Sequence, residues 1–335
     1  MNISFVIPVY NEASGIFDYV TRRLMPQIEK SAHEQKYSFD IIFVNDGSKD
    51  KTLQELYKLS DQFKQVKIVA LSRNFGKELA LTAGIDQALT NSDTDAILTM
   101  DADGQQPPEY IPQFIQKLQE NLSKNGNQTE IITGVREKYG KHGLVAKLGS
   151  KLFYWMLSLF GSKTSLTGVT DFRLMTRSIA EKFSGLTEHN RITRGLIDWL
   201  GYPQDYITYP YGNRQFGKPS QSFRKLFGLA IDSFVSLSPA PLFIFAWIGV
   251  FITVLSGFLG IFALIQQGIL GDPLGLHWSW LMLFMSFLIG LVLISQGVTA
   301  LYIAQIQSEV LGRPLYLVNK SASRRITDET HRSPR

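Results

Sequence analysis

The chain of 335 residues contains no cysteine. That excludes disulfides and thiolate-ligated metals, and it fits a reducing compartment. No helix-turn-helix, zinc or RNA-binding signature is present, so the formal charge of +5 suits phosphates or lipid headgroups and no nucleic acid is expected. The N-terminal apolar run Ile3-Ser4-Phe5-Val6-Ile7 has no basic region ahead of it and is too short for a signal peptide, so the first domain is expected to stay in the cytoplasm. Charge is missing from one stretch above all. Residues 239–308 hold no Lys or Arg, and Asp272 is their only acidic residue.

Two uncharged segments lie in that stretch, at about 240–265 and about 280–306. Each exceeds the roughly 20 residues that cross a bilayer. Two such runs joined by one short loop are hard to bury in a soluble core of this size, so a two-helix transmembrane hairpin is expected, with Trp278 and Trp280 suited to an interfacial belt. Residues 221–238, with Arg224 and Lys225 near their start and apolar residues at helical spacing, read as a juxtamembrane amphipathic helix. The tail, 309–335, holds Arg313, Lys320, Arg324, Arg325, Arg332 and Arg335, whereas the hairpin loop has no Lys or Arg. The positive-inside rule therefore places both the large domain, 1–220, and the tail in the cytoplasm. The tail itself reads as disordered.

The large domain alternates short continuous apolar runs with helical patterns. Ser4–Ile7, Phe39–Val44, Val66–Leu71 and Ala96–Met100 read as buried strands, with helices to about Glu34, from Lys51 to Phe63 and to about Leu89. That spacing implies parallel βαβ units in one sheet. Ile131–Gly134, ending at Arg136, and Tyr206–Pro210 read as later strands. The first four all end in polar, glycine-bearing loops, and open parallel sheets bind ligands outside their carboxyl ends.

The fourth run stops at Asp101-Ala102-Asp103-Gly104-Gln105. In extended backbone an i, i+2 spacing sends both carboxylates to one side, with Gln105 continuing the alternation. Mg²⁺ or Mn²⁺ is held by one or two carboxylates in this way when substrate phosphates complete its shell. Asp, Gly and Pro also favour a plain turn, so Asp-x-Asp alone decides little. Further on, 138–160 is basic and amphipathic, with Lys138, Lys141, Lys147 and Lys151; a solvated face explains such charges equally well. Thr170–Met175 and Asn190–Gly195 set ionisable residues beside apolar ones.

Five stretches together carry a resemblance: Val6-Ile7-Pro8-Val9-Tyr10-Asn11-Glu12, Asn45-Asp46-Gly47-Ser48, Asn74-Phe75-Gly76-Lys77, Asp101-Ala102-Asp103 and Thr170-Asp171-Phe172-Arg173-Leu174-Met175. In this order, on successive strand ends, the chain resembles family 2 glycosyltransferases of GT-A fold over about residues 1–310. Within them it looks most like the polyprenyl-phosphate glycosyltransferases, the group of dolichyl-phosphate mannose synthase and bactoprenol glucosyltransferases. The resemblance implies an α/β, Rossmann-like, mostly parallel sheet domain followed by interfacial and transmembrane helices in the inner membrane. It implies that Pro8, Tyr10, Glu12 and Asp46 surround the base and ribose of a UDP-sugar donor, with Asn74, Lys77 and Ala102 also on the donor side. Asp101, Asp103 and Gln105 would hold the Mg²⁺ or Mn²⁺, and Arg214, with Lys218, the donor phosphates. Asp171 would lie at the sugar and acceptor end, unless it is a salt-bridge partner of Arg173 or another arginine. Arg136, Lys147 and Lys151 would face a polyprenyl phosphate acceptor. Homo-oligomers and a downstream flippase are implied as partners.

Three departures stand out. Asn45 replaces the usual first aspartate, Gly104 a common leucine, and Pro219-Ser220 a common Ser-Lys pair. The expected reaction is inverting transfer of a sugar, glucose by local likeness, to undecaprenyl phosphate, giving a β-linked product. Two rivals are a processive polysaccharide synthase, whose Gln-x-x-Arg-Trp motif is absent from the sequence, and a non-catalytic membrane protein that binds nucleotide sugar or lipid.

Overall fold

A computed structural model describes residues 1–123, 129–137, 168–189, 191–210, 247–252, 254–255, 258 and 278–326. The chain divides into two compact units, one formed by Met1–Gly149, Thr164–Ser220 and Arg313–Arg335, the other by Ser150–Lys163 and Gln221–Gly312.

The first unit is an α/β domain on one sheet of β1 (Asn2–Val9), β2 (Ser38–Asn45), β3 (Val66–Ala70), β4 (Ala96–Thr99), β5 (Ile131–Arg136), β6 (Val169–Thr176) and β7 (Gln204–Tyr209). Its strand order is β3-β2-β1-β4-β6-β5-β7. The pairs β1–β2, β1–β4, β2–β3 and β5–β7 are parallel, whereas β6 runs against both neighbours, so the sheet is mixed, as in a GT-A-like domain. The reversal matters because it brings the beginning of β6 to the edge where β1 and β4 end.

Both faces of the sheet are covered, which is why its strands read as continuous apolar runs with no alternation. On one face Ile3, Phe5 and Ile7 pack with Ile16 of α1 (Ile16–Tyr19), Ile28 of α2 (Met25–Gln35), Leu56 of α3 (Thr52–Gln62) and Phe114 of α5 (Ile111–Ser123). On the other, Val6, Ile42 and Val44 pack with α4 (Lys77–Leu89), α6 (Arg177–Ser184) and Ile197 of α7 (Thr193–Trp199). Helix α4 lies so close that a Cβ on Gly84 would come within 2.3 Å of Val6 Cγ1. The chain leaves β1 through helices to β2 and β3, then returns through α4 to β4 on the other side of β1. That makes the gap between the ends of β1 and β4 the topological switch point, where open α/β sheets bind ligands.

The expected disorder of the tail is corrected by the structure as far as Ile326. Ile68 and Arg324 exchange backbone hydrogen bonds of 2.9 Å, Asn319 N–H donates to Ala70 O at 2.7 Å, and Ser72 N–H to Leu317 O at 2.9 Å. Tyr316, Val318 and Ile326 pack on the α4 side of the core. Apolar residues interleaved with the charges give this segment something to bury.

In the second unit, α8 (Trp278–Val310) is 33 residues long. Its Phe287–Ala304 stretch is long and apolar enough to cross a membrane, with none of it buried, and it is the one such helix among the described residues. Of the other expected span, 247–252, 254–255 and 258 are described and helical. The amphipathic segment 221–238 and the basic segment 138–160 lie outside the described residues.

Candidate active site

The site is built where β1, β2 and β4 end and β6 begins. Near the end of β1 Pro8 is half-buried; after the strand Tyr10 is exposed, and Glu12 is buried with its backbone N–H on Thr52 Oγ1 at 2.9 Å. Asn11 takes a left-handed conformation, φ 54°, and its Oδ1 accepts from Lys49 N–H at 2.9 Å, locking this loop to the one after β2. In that second loop Asp46 is buried, and both its oxygens are occupied. Oδ1 accepts from Phe75 N–H at 2.7 Å; Oδ2 accepts from Asn74 Nδ2 at 2.9 Å and Gly76 N–H at 3.0 Å. Burial pushes the Asp46 carboxyl above its ordinary range, and those backbone donors oppose the rise. Asp46 thus staples the 74–76 loop to the sheet. Gly47, at φ 61°, is required there, because a Cβ would lie 2.3 Å from the Arg73 carbonyl carbon. Asn45, the departure from the usual aspartate, is buried and its Oδ1 accepts from Ser48 N–H at 3.3 Å, a turn-closing bond that needs no charge.

Past β4 the half-buried Asp101, Asp103 and Gln105 alternate with buried Ala102, Gly104 and Gln106. The stretch is a turn and not the extended backbone that the spacing argument assumed, with Gly104 at φ 73° and Gln105 N–H on Asp103 Oδ1 at 3.1 Å. Gln106, which sequence reasoning passed over, fixes the first carboxylate: its Oε1 accepts from Asp101 N–H at 2.9 Å and its Nε2 donates to Asp101 Oδ2 at 3.0 Å.

The centre of the site is an ion cluster. Lys77 Nζ lies 2.6 Å from Asp101 Oδ1 and 2.6 Å from Asp171 Oδ2, joining the two carboxylates. Arg194 grips the far side of Asp171 bidentately, Nε to Oδ1 at 2.8 Å and Nη2 to Oδ2 at 3.0 Å. The Asp171 side chain is 2% exposed, against 42% for Lys77 and 45% for Arg194. Burial alone would raise the Asp171 carboxyl, but Lys77 and Arg194 overcome it and hold the group well below the usual carboxylate range. Burial would likewise lower Lys77, and Asp101 and Asp171 reverse that, keeping it charged.

The salt-bridge alternative for Asp171 is thus realised, with Arg194 and Lys77 as partners. Arg173, 1% exposed, donates instead through Nε to Thr133 Oγ1 at 3.0 Å. Arg191, in the same stretch as Arg194, is structural: Nη1 and Nη2 cap the end of α6 on the Leu186 and Phe183 carbonyls, at 2.6 and 3.0 Å. Arg136, at the end of β5, is exposed beside Gly168. Lys147, Lys151, Arg214 and Lys218 lie outside the described residues. Arg194 is the site residue that sequence reading missed. Its signal was only a charge in an apolar context at 190–195, one that Arg191 shares.

Among the described residues no group of three or more His, Asp or Glu side chains is placed to hold a metal. The donor types still suit Mg²⁺ or Mn²⁺, because Asp101, Asp103 and Gln105 are half-buried oxygen-bearing side chains and these ions take the rest of their shell from phosphates and water; Asp101 would exchange its Lys77 contact for the ion.

The glycosyl transferase family 2 profile matches residues 4–184. An uncharacterized glycosyltransferase of Synechocystis is 35% identical over 95% of this chain and 95% of its own length. The uncharacterized glycosyltransferase YkcC of Bacillus subtilis is 33% identical over 95% of this chain and 93% of its own. A prophage-derived bactoprenol glucosyl transferase of Shigella flexneri is 33% identical over 96% of this chain and 98% of its own. With the profile spanning more than half of the chain and these relatives nearly all of it, the protein belongs to glycosyl transferase family 2.

Proposed function

We propose that this glycosyltransferase moves a sugar, glucose by its relatives, from a UDP-sugar to a polyprenyl phosphate at the cytoplasmic membrane face, with inversion, leaving a β-linked lipid phosphate sugar. The observation that carries the reading is the ion cluster at the switch point of the sheet, in which Lys77 joins Asp101 to Asp171 and Arg194 holds the far side of Asp171: carboxylates of the type that hold a phosphate-bound cation stand beside fixed positive charge. The acceptor class follows from relatives named bactoprenol glucosyl transferases that align over 96% of the chain, and from the apolar helix α8.

Asp101, Asp103 and Gln105 would hold Mg²⁺ or Mn²⁺, which supplies Lewis-acid stabilisation of the departing diphosphate. Tyr10 and Glu12 would flank the base and ribose, beside the loop that Asp46 secures. Arg214, with Lys218, would meet the donor phosphates, and Arg136, Lys147 and Lys151 the acceptor. A lipid phosphate is already ionised near neutral pH, so the reaction needs cations to bring two anions together and no strong base. That fits an Asp171 engaged by two cations and held far from protonation. Direct attack at the anomeric carbon inverts it.

The test is turnover by membranes carrying the full chain, given radiolabelled UDP-glucose and undecaprenyl phosphate, with product mass read across a panel of donors. A singly glycosylated lipid is expected. A long polymer, or no labelled lipid from any donor, would overturn the reading.

A further inference from the structure

Asp171 is the one carboxylate of the cluster that water scarcely reaches, and all of its contacts are with cations. Arg194 has spent its Nε–Nη2 edge on Asp171, its Nη1 makes no hydrogen bond among the described residues, and its side chain is nearly half exposed. It is also held stiffly. Thr193 before it gives both its backbone N–H, at 3.0 Å, and its hydroxyl to Glu78 Oε2, and Glu78 follows Lys77 directly in α4. The two cations therefore sit on elements tied to each other twice, once through Asp171 and once through Glu78. Beneath them Arg173 is buried, with Nη2 unpartnered among the described residues. A guanidinium fixed along one edge and open at the other is the arrangement that receives a phosphate oxygen.

We propose that Arg194 is a phosphate-binding residue, oriented by Asp171 and paired with Lys77, so that the two form a cationic cradle for a substrate phosphate. This rests on the reading of the site as one that joins a nucleotide sugar to a lipid phosphate. It assigns Asp171 as a positioning residue whose charge is spent on the cradle. The phosphate comes either from the donor or from the acceptor, and the test separates the two.

The full chain in detergent, wild type, Arg194→Ala and Arg194→Lys, is titrated calorimetrically with UDP in Mg²⁺ and with citronellyl phosphate, a polyprenyl phosphate short enough to dissolve. Arg194→Ala is expected to weaken one of them by about 10- to 100-fold, the worth of a charge-assisted hydrogen bond. Arg194→Lys, which keeps the charge and loses the fork, should fall between. A loss confined to UDP assigns the donor phosphate, and a loss confined to citronellyl phosphate the acceptor. Added guanidinium should restore part of the lost affinity, a rescue that a purely structural role would not show. Affinities for both probes within about twofold of wild type in a folded variant, Arg194→Lys standing in if alanine fails to fold, would overturn the assignment. Binding is read without turnover, so a wild type that glycosylates no lipid yet loses affinity in these variants separates failure of the enzymatic reading from failure of this one.

Discussion

Replacing Asp171 by Asn keeps the shape of the side chain and removes its charge, leaving Lys77 and Arg194 facing a neutral amide. Breaking a fully buried ion pair costs about 3–5 kcal/mol, whereas an exposed one is worth about 0–1. Here the carboxylate is 2% exposed and its cations 42% and 45%, so the cost lies between, at about 2–3 kcal/mol. For a domain of this size that is a fall in Tm of roughly 4–12 °C. The pH dependence has a definite sign. The folded-state pKa of Asp171 is depressed below the unfolded value of about 3.9, so its stabilisation is complete above that value and is lost as pH falls below it toward the folded one. The assay is thermal unfolding of the full chain in detergent, wild type and Asp171→Asn, at pH 7, 5 and 3.5. The gap between the two should be the same at pH 7 and 5 and begin to close at 3.5; other carboxylates titrate in both proteins and cancel. Equal Tm values at pH 7, or a gap that halves between pH 7 and 5, would refute the account of Asp171 as an anion locked between two cations.

Asp103→Ala, or chelation by EDTA, should lower transfer at least about 100-fold, since metal-centred stabilisation of the leaving group supplies several kcal/mol; a cleared-membrane assay with labelled donor reads this, and circular dichroism checks that the variant is folded. Gly84→Ala places a methyl 2.3 Å from Val6 Cγ1 and 2.8 Å from Val44 Cγ2, so α4 must shift; a loss of about 1–3 kcal/mol is expected by denaturant titration. Tyr316→Phe removes the hydroxyl that donates to Asp86 Oδ2 at 2.7 Å, on α4, a bond worth about 1–2 kcal/mol. Limited trypsinolysis should then cut faster at Arg324 and Arg325, and unchanged rates would show that Tyr316 does not hold the tail.

What was legible in the sequence followed from patterns with one physical meaning. Continuous apolar runs such as Phe39–Val44 are buried on both sides, and the run Ala96–Met100 does stop at Asp101 and Asp103, both half-buried, where β4 ends. The two-sided burial also hid something: a run like Phe172–Met175 reads the same in a reversed strand, so the antiparallel β6 was not foreseen. That reversal is what brings Asp171 beside Asp101, across about seventy residues of chain. Arg194 was missed for a related reason. Its partner is 23 residues away and on another element, and nothing local separates it from Arg191, whose guanidinium only caps a helix.

The tail is the larger omission, and it bears on why β3 is tolerated at all. β3 ends the sheet, and an open edge offers unpaired N–H and C=O groups to any passing strand. Here Ile68, Ala70 and Ser72 are matched by Arg324, Asn319 and Leu317, while Arg324 reaches Asp61 at 2.5 Å and lies 4.1 Å over the Tyr57 ring. Ser72 opens the loop to Asn74–Lys77, so the same segment that covers the edge also borders the chain that delivers Lys77 to Asp171. Truncation after Gly312 should therefore do two separable things: raise the tendency to associate, seen as concentration-dependent oligomers in light scattering, and weaken UDP binding through a looser 72–77 loop. A truncated chain that stays as monodisperse as wild type and binds UDP equally well would mean that the tail neither guards the edge nor steadies the site.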